Sequence, residues 1–407
     1  MMSEIKPAIE GGKPIREKPI SAFPKFSEDE INAVIEVLKS GKLTMLVGEV
    51  TRKFEDEFAK IHGVKHAIAV SNGTVALHVA LRALGIGPGD EVITSPFTFV
   101  ASASSILHQN AIPIFADIDR ETFNIDPASI EERITDKTKA IIAVHLCGHP
   151  AEMDEIMKIA REHNLAVIED CAQAIGAKYK GKIVGSIGDI NAFSFYLSKN
   201  ITTGEGGMVL TDNDELAEKA KLIRHHGEPE WYKYILLGYN YRMTELQAAI
   251  GLAQLKKLEK LNERRREIAK IYFDELEDLS ALQLPIEKPY VNHVWHIYNV
   301  LIDLDKVRKN RDEIVKAIKA ENVWVSICYP TVLYLEPLFQ EKIGHGKGCP
   351  WTCPFYGREI KYEKGLCPNA EWVSERVFTL PTQPSLSDDD AIDIARATKK
   401  VIRYYQI

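Results

Sequence analysis

Short apolar runs alternate with stretches in which apolar residues recur every three or four positions, from about residue 66 to residue 211. The runs 66–70, 91–95, 112–118, 140–146, 165–169, 192–196 and 208–211 read as strands, and 75–84, 100–109 and 154–163 read as helices between them. Strands that are apolar throughout and separated by helices predict an α/β fold, with a mainly parallel seven-stranded sheet covered on both faces. Ahead of this block, residues 1–25 read as an extended arm. A helix then opens at Ser27-Glu28-Asp29-Glu30, and a second covers 49–62.

After the block, 243–276 reads as one long amphipathic helix, with Leu246, Ile250, Leu255, Leu258 and Leu261 at three-to-five spacing. Beyond Pro285 the pattern changes to a strand over 295–304 and helices over 311–320 and 388–404. The expected organisation is an arm (1–25), a large domain (26–275) and a smaller C-terminal α+β domain (276–407).

Charge and cysteine usage narrow the picture. A net charge of -7 with no basic run argues against nucleic-acid binding. Met1-Met2-Ser3-Glu4-Ile5-Lys6 lacks the apolar core of a signal peptide, and no stretch has the length of a membrane span, so a cytoplasmic location is expected. Six cysteines in 407 residues do not make a disulfide scaffold. Cys349, Cys353 and Cys367 cluster with His345 without the paired spacing of a zinc site, so unlinked thiols and no metal are expected.

Candidate chemistry gathers at the strand ends, where ligands bind in open α/β sheets. Lys199 follows the sixth run and precedes the turn Gly204-Glu205-Gly206-Gly207. A lysine held between two buried strands loses hydration, which favours its neutral, nucleophilic amine. Ser71-Asn72-Gly73-Thr74 opens a helix after the first run, and small residues there let backbone N–H groups reach an anion. Phe99 follows the second run and offers a face for a flat ring, and Asp170 ends the fifth. Each feature also reads as something ordinary: a surface lysine, a helix cap, a core aromatic. Together, a phosphate cradle, a stacking aromatic, a buried aspartate and a desolvated lysine are what pyridoxal 5′-phosphate requires.

The motifs Ser71-Asn72-Gly73-Thr74, Thr98-Phe99-Val100, Glu169-Asp170-Cys171-Ala172-Gln173-Ala174, the block 193–207 and Gly238-Tyr239-Asn240-Tyr241-Arg242-Met243-Thr244 carry a resemblance in order and spacing. The chain resembles the DegT/StrS sugar and cyclitol aminotransferases of fold-type I, the aspartate aminotransferase-like architecture. That resemblance implies a Schiff-base role for Lys199, Asp170 at the pyridine nitrogen, Gln173 beside the ring, and Phe99 stacked on it. It also implies that Gly73, Thr74 and Ser194 hold the phosphate, and that Asn240 reaches the site of a second subunit in a homodimer. The reaction implied moves an amino group from glutamate or glutamine to a keto-sugar or keto-cyclitol.

Two departures tilt the acceptor toward a cyclitol. Tyr334 stands where relatives often carry a histidine facing the substrate, and Gly11-Gly12-Lys13-Pro14-Ile15-Arg16 is similar to the cyclitol branch. Two other classes are a related sugar dehydratase, in which histidine replaces the lysine, and a non-catalytic regulator on the same fold. Lys199 speaks against the first, and the retained cofactor set against the second.

Overall fold

The computed structural model describes residues 6–20 and 24–407. The expected arm therefore falls partly outside the described residues. Within them, Glu321 accepts hydrogen bonds from the Ala8 and Ile15 N–H groups at 2.7 and 3.0 Å and pairs with Lys400 at 2.8 Å. Arg16 pairs with Asp390 and Asp393 at 3.1 and 2.8 Å. The Gly11–Arg16 stretch is thus anchored on the C-terminal helix Asp388–Tyr405 and its neighbours.

All seven apolar runs join one sheet: β1 (His66–Val70), β2 (Glu91–Thr94), β3 (Ile112–Phe115), β4 (Thr138–Val144), β5 (Ala166–Asp170), β6 (Asn191–Ser194) and β7 (Gly207–Thr211). Their spatial order is β1-β7-β6-β5-β4-β2-β3. β7 alone runs antiparallel to the other six strands. Side chains alternate between two apolar layers: Ile68, Ile142 and Ile168 enter one, while Ala69, Ile141 and Val167 enter the other. Helices cover both layers, which is why the strands read as unbroken apolar runs.

The long helix expected over 243–276 is two helices, Glu245–Leu255 and Leu258–Leu276. The five-residue step from Ile250 to Leu255 is too long for one stripe, and the chain turns at Lys256-Lys257 to bring the next apolar face round. Lys257 Nζ then reaches Glu30 at 2.8 Å.

A second, three-stranded antiparallel sheet, Leu282–Gln283, Tyr298–Ile302 and Val377–Leu380, packs with Leu258–Leu276, Arg311–Lys319 and Asp388–Tyr405 around Ile268, Val300, Ile314 and Ile394. Val332, Phe339, Trp351, Tyr362 and Val373 do not join that core; they pack with the first layer of the seven-stranded sheet. The boundary expected at 275/276 is therefore crossed by this returning segment.

Candidate active site

The carboxyl ends of β1, β5 and β6 open on a cavity of about 1320 Å³ that is also lined by Trp324, Cys328, Tyr329, Phe339, Pro381 and Gln383. A smaller cavity of about 640 Å³ at the amino ends of the strands carries no comparable set of groups.

One corner of the large cavity is built to receive an anion. Asn72, in extended conformation, caps helix Gly73–Ala83 by accepting the Val75 N–H at 2.9 Å. The N–H groups of Gly73 and Thr74 keep no protein acceptor among the described residues, and they sit at the positive end of the helix. A Cβ on Gly73 would lie 2.6 Å from the Ser194 Cβ, so only glycine lets the helix start press against β6. Gly207 serves the same join, since a Cβ there would stand 2.4 Å from the Asn72 carbonyl oxygen.

Lys199 lies on the turn after β6. Phe195 anchors that turn by donating its N–H to Gly206 at 2.8 Å and accepting from Thr203 at 3.0 Å. A Cβ on Gly206 would meet the Thr203 hydroxyl at 2.2 Å, and Gly204 has φ +81. These glycines return the chain into β7. Lys199 Nζ has no hydrogen-bond partner among the described residues. Burial pushes its pKa down to about 8, against the opposing charge of Asp170.

Asp170 ends β5 facing the same cavity. Its carboxylate accepts from the Ser102 hydroxyl at 2.9 Å and the Ala172 N–H at 3.1 Å, with no cation bonded to it among the described residues. Burial raises its pKa, with those two bonds and the Lys199 charge opposing. Gln173 accepts the Cys147 N–H at 2.8 Å and donates to the Tyr329 hydroxyl at 2.6 Å. The cavity therefore holds a lysine amine without a hydrogen-bond partner, a carboxylate with no cation bonded to it and an anion cradle, which suits a ligand carrying a carbonyl, a basic nitrogen and a phosphate.

The family model described as the DegT/DnrJ/EryC1/StrS aminotransferase family matches residues 24–361. The chain belongs to that family. Its relatives include a GDP-perosamine synthase from Escherichia coli O157:H7, 41% identical over 86% of this chain and 89% of that one. Another is UDP-N-acetyl-3-dehydro-alpha-D-glucosamine 3-aminotransferase from Acidithiobacillus ferrooxidans, 39% identical over 88% and 90%. Among solved structures, DesV from S. venezuelae in complex with a ketimine intermediate superposes with a TM-score of 0.82, at 34% identity over 92% and 94% of the two chains. The fold is that of the fold-type I aminotransferases, and the chain is an aminotransferase.

Seven of the residues singled out in this aminotransferase's sequence, Gly73, Thr74, Phe99, Asp170, Gln173, Ser194 and Lys199, line the one cavity. Phe99 does so with 61% of its surface uncovered. Asn240 does not line it: it is exposed and bridges His225 through the backbone. Tyr334, expected to face substrate, does not line it either. Its side chain is fully buried, donates to Glu371 and accepts the Cys367 N–H at 3.1 Å. The apolar layer of the large sheet pulls that ring inward, against Phe115. Of the clustered thiols and His345, Cys349 donates to Asn110 at 3.2 Å, and His345 Nε2 donates to the Leu107 carbonyl at 2.9 Å.

The sequence reading missed three groups. Tyr329 lines the cavity with φ +57 and bonds Gln173. Glu169, at 0% exposure on the opposite face from Asp170, accepts from Gly185, Ile187 and Gly188 N–H groups at 2.7–2.8 Å and from His145 Nε2 at 2.9 Å. His145 Nδ1 accepts the Ala151 N–H at 3.0 Å, which places the proton on Nε2. With Cys171, this pair gathers ligand atoms within 4.8 Å, but both carboxylate oxygens and both ring nitrogens are already bonded.

The third is His296. Asn200 Nδ2 donates to the Val294 carbonyl at 3.0 Å and to Asn262 Oδ1 at 2.7 Å, so its Oδ1 is the acceptor facing His296 Nδ1 at 3.2 Å. His296 Nδ1 therefore carries the proton, and Nε2 keeps a bare lone pair in a residue that lines the cavity. Burial holds this ring's pKa well below that of an ordinary histidine.

Proposed function

We propose that this aminotransferase binds pyridoxal 5′-phosphate in the large cavity and moves an amino group from glutamate or glutamine to a nucleotide-linked keto-sugar. The observation that carries the reading is the unpartnered Lys199 amine, facing the same cavity as a carboxylate without a cation and a helix start with free N–H groups. When bound, the cofactor supplies an electron sink for charge developing at the substrate carbon. Gly73, Thr74 and Ser194 would hold its phosphate, Phe99 would cover one face of its ring, and Asp170 would accept from its protonated nitrogen. Lys199 Nζ would hold the cofactor and would carry a proton to and from the substrate carbon.

The acceptor reading rests on the relatives' names, which specify GDP- and UDP-linked compounds. The features that tilted toward a cyclitol lose their weight: Tyr334 and the Gly11–Arg16 stretch do not line the cavity. A volume of about 1320 Å³ leaves room for more than the cofactor.

A homodimer with shared sites is part of the same proposal. Trp231, Tyr232, Tyr234, Ile235 and Leu237 each expose more than half of their surface, and such an apolar patch marks a partner surface. It leads directly to Asn240, which has no place in its own chain's cavity.

Borohydride reduction of the yellow protein followed by peptide mapping tests the cofactor. A covalent adduct at Lys199 is expected, and a colourless protein with no adduct overturns the reading. Lys199→Ala lowers transamination by at least about a thousandfold; full activity in that variant overturns the mechanism. The amine-loaded enzyme, offered nucleotide-linked keto-sugars and keto-inositols, is expected to aminate the former. Turnover of keto-inositols alone would move the acceptor back to cyclitols.

A further inference from the structure

Arg265, in the middle of helix Leu258–Leu276, is 2% exposed and makes no ion pair with any carboxylate among the described residues. A buried cation without a counter-ion is costly to keep, so its position calls for a reason. Nη1 donates to the His296 carbonyl at 3.1 Å and to the Thr382 carbonyl and hydroxyl at 3.3 and 3.1 Å. Nη2 donates to the Lys199 carbonyl at 3.3 Å, and Nε has no partner. One planar fork thus joins three distant pieces of chain, a geometry that lysine's single ammonium does not reproduce. One turn earlier on the same helix, Asn262 accepts from Asn200, so this face grips both residues of the Lys199-Asn200 pair. Arg265 does not line the cavity. An anionic substrate therefore does not reach it, and its charge acts on its neighbours alone.

We propose that Arg265 is a positioning residue for Lys199: it fixes the carbonyl of the lysine-bearing turn and, as a cation without a counter-ion beside that turn, raises the share of Nζ present as free amine. The proposal rests on the reading of Lys199 given above. The charged and titratable groups facing Nζ agree with it. Burial is the first cause of the lowered Lys199 pKa, Asp170 and Cys328 oppose it, and Arg265 adds to it. His296, also beside Lys199, stays neutral because burial lowers its pKa. Burial brings Arg265 itself down to about 9, which leaves it a cation at neutral pH.

The test uses the full chain stripped of cofactor, with trinitrobenzenesulfonate labelling of Lys199 followed by peptide mass spectrometry across pH. The wild-type midpoint is expected near 8. Arg265→Gln, which keeps N–H donors but loses the charge, is expected to move the midpoint up by about one pH unit, roughly a tenfold loss of free amine at neutral pH. Arg265→Lys keeps the charge and is expected to stay within a few tenths of a unit of wild type. A folded Arg265→Gln protein with an unmoved midpoint overturns the proposal. Should that variant fail to fold, Arg265→Met, which also loses the charge, takes its place, and an unmoved midpoint there overturns the proposal equally. A wild-type midpoint near that of an ordinary lysine would instead sink the reading of Lys199 itself.

Discussion

Glu169 and Asp170 are consecutive carboxylates at the end of one strand, and the period of two turns them to opposite faces of the sheet. Behind the sheet, Glu169 meets three backbone N–H groups and His145. Burial alone would raise its pKa, yet the His145 bond and the N–H groups of Gly185 and Gly188 bring it below 4.5. In front, Asp170 meets two neutral donors, and burial wins, raising it above 3.8. Burial is common to both, and satisfaction is what differs. A buried carboxylate with its donors complete is architecture; one with no cation bonded to it, beside an amine without a hydrogen-bond partner, points to a functional site.

The comparison breaks most readily at Asp170. Asp170→Asn is expected to lower kcat/KM by about a hundredfold or more, the scale of losing one charge-stabilising group at a reacting centre. Without cofactor the same variant melts at or above the wild-type temperature, because a poorly compensated buried charge has gone. Differential scanning calorimetry on the stripped protein checks this, and a large drop in melting temperature would make Asp170 a second Glu169.

Glu169→Gln is expected to do the reverse. An amide in that position turns N–H against the backbone donors and costs about 2 kcal/mol of stability, while kcat/KM of the folded enzyme stays within about threefold. The pH dependences carry opposite signs. Glu169, with its folded pKa lowered, contributes stability that is complete above 4.5 and is lost as pH falls through the folded value. Asp170, raised above 3.8, burdens the neutral-pH fold and is relieved as pH falls toward its folded value. Acid melts of the two variants against wild type read both signs directly.

Gly73→Ala tests the cradle. Alanine ordinarily favours a helix over glycine, but here its Cβ would stand 2.6 Å from the Ser194 Cβ. Cofactor titration by absorbance is expected to show about tenfold weaker binding, roughly 1.4 kcal/mol. Unchanged binding would mean that the helix start does not touch the phosphate.

How much of this was legible in the sequence follows contact range. The strands announced themselves because burial on both faces leaves every position apolar, and Gly73, Asp170, Ser194 and Lys199 lie in short motifs at strand ends. The break at Lys256-Lys257 was hidden because neither glycine nor proline marks it, only a slipped step in the apolar stripe. Arg265 and His296 were invisible for a different reason. What gives them meaning is Lys199 and Asn200, 66 and 96 residues away in the chain. Glu169 stood inside a quoted motif, yet its partner His145 did not, so nothing local separated it from Asp170.

Tyr334 gives the smallest effect and the sharpest boundary between the two kinds of polar burial. Its hydroxyl donates to Glu371 and accepts the Cys367 N–H, with burial raising its pKa further. Glu371 also accepts the Gly365 N–H at 2.6 Å, so Tyr334→Phe leaves the Cys367 N–H as the main unpaired group. The expected cost is about 1 kcal/mol of stability, with KM for a nucleotide-linked acceptor within about twofold of wild type. A tenfold change in KM at constant melting temperature would put this hydroxyl in contact with substrate. A polar group with its partners complete would then be part of the site, and satisfaction would no longer separate the architecture behind the sheet from the chemistry in front of it.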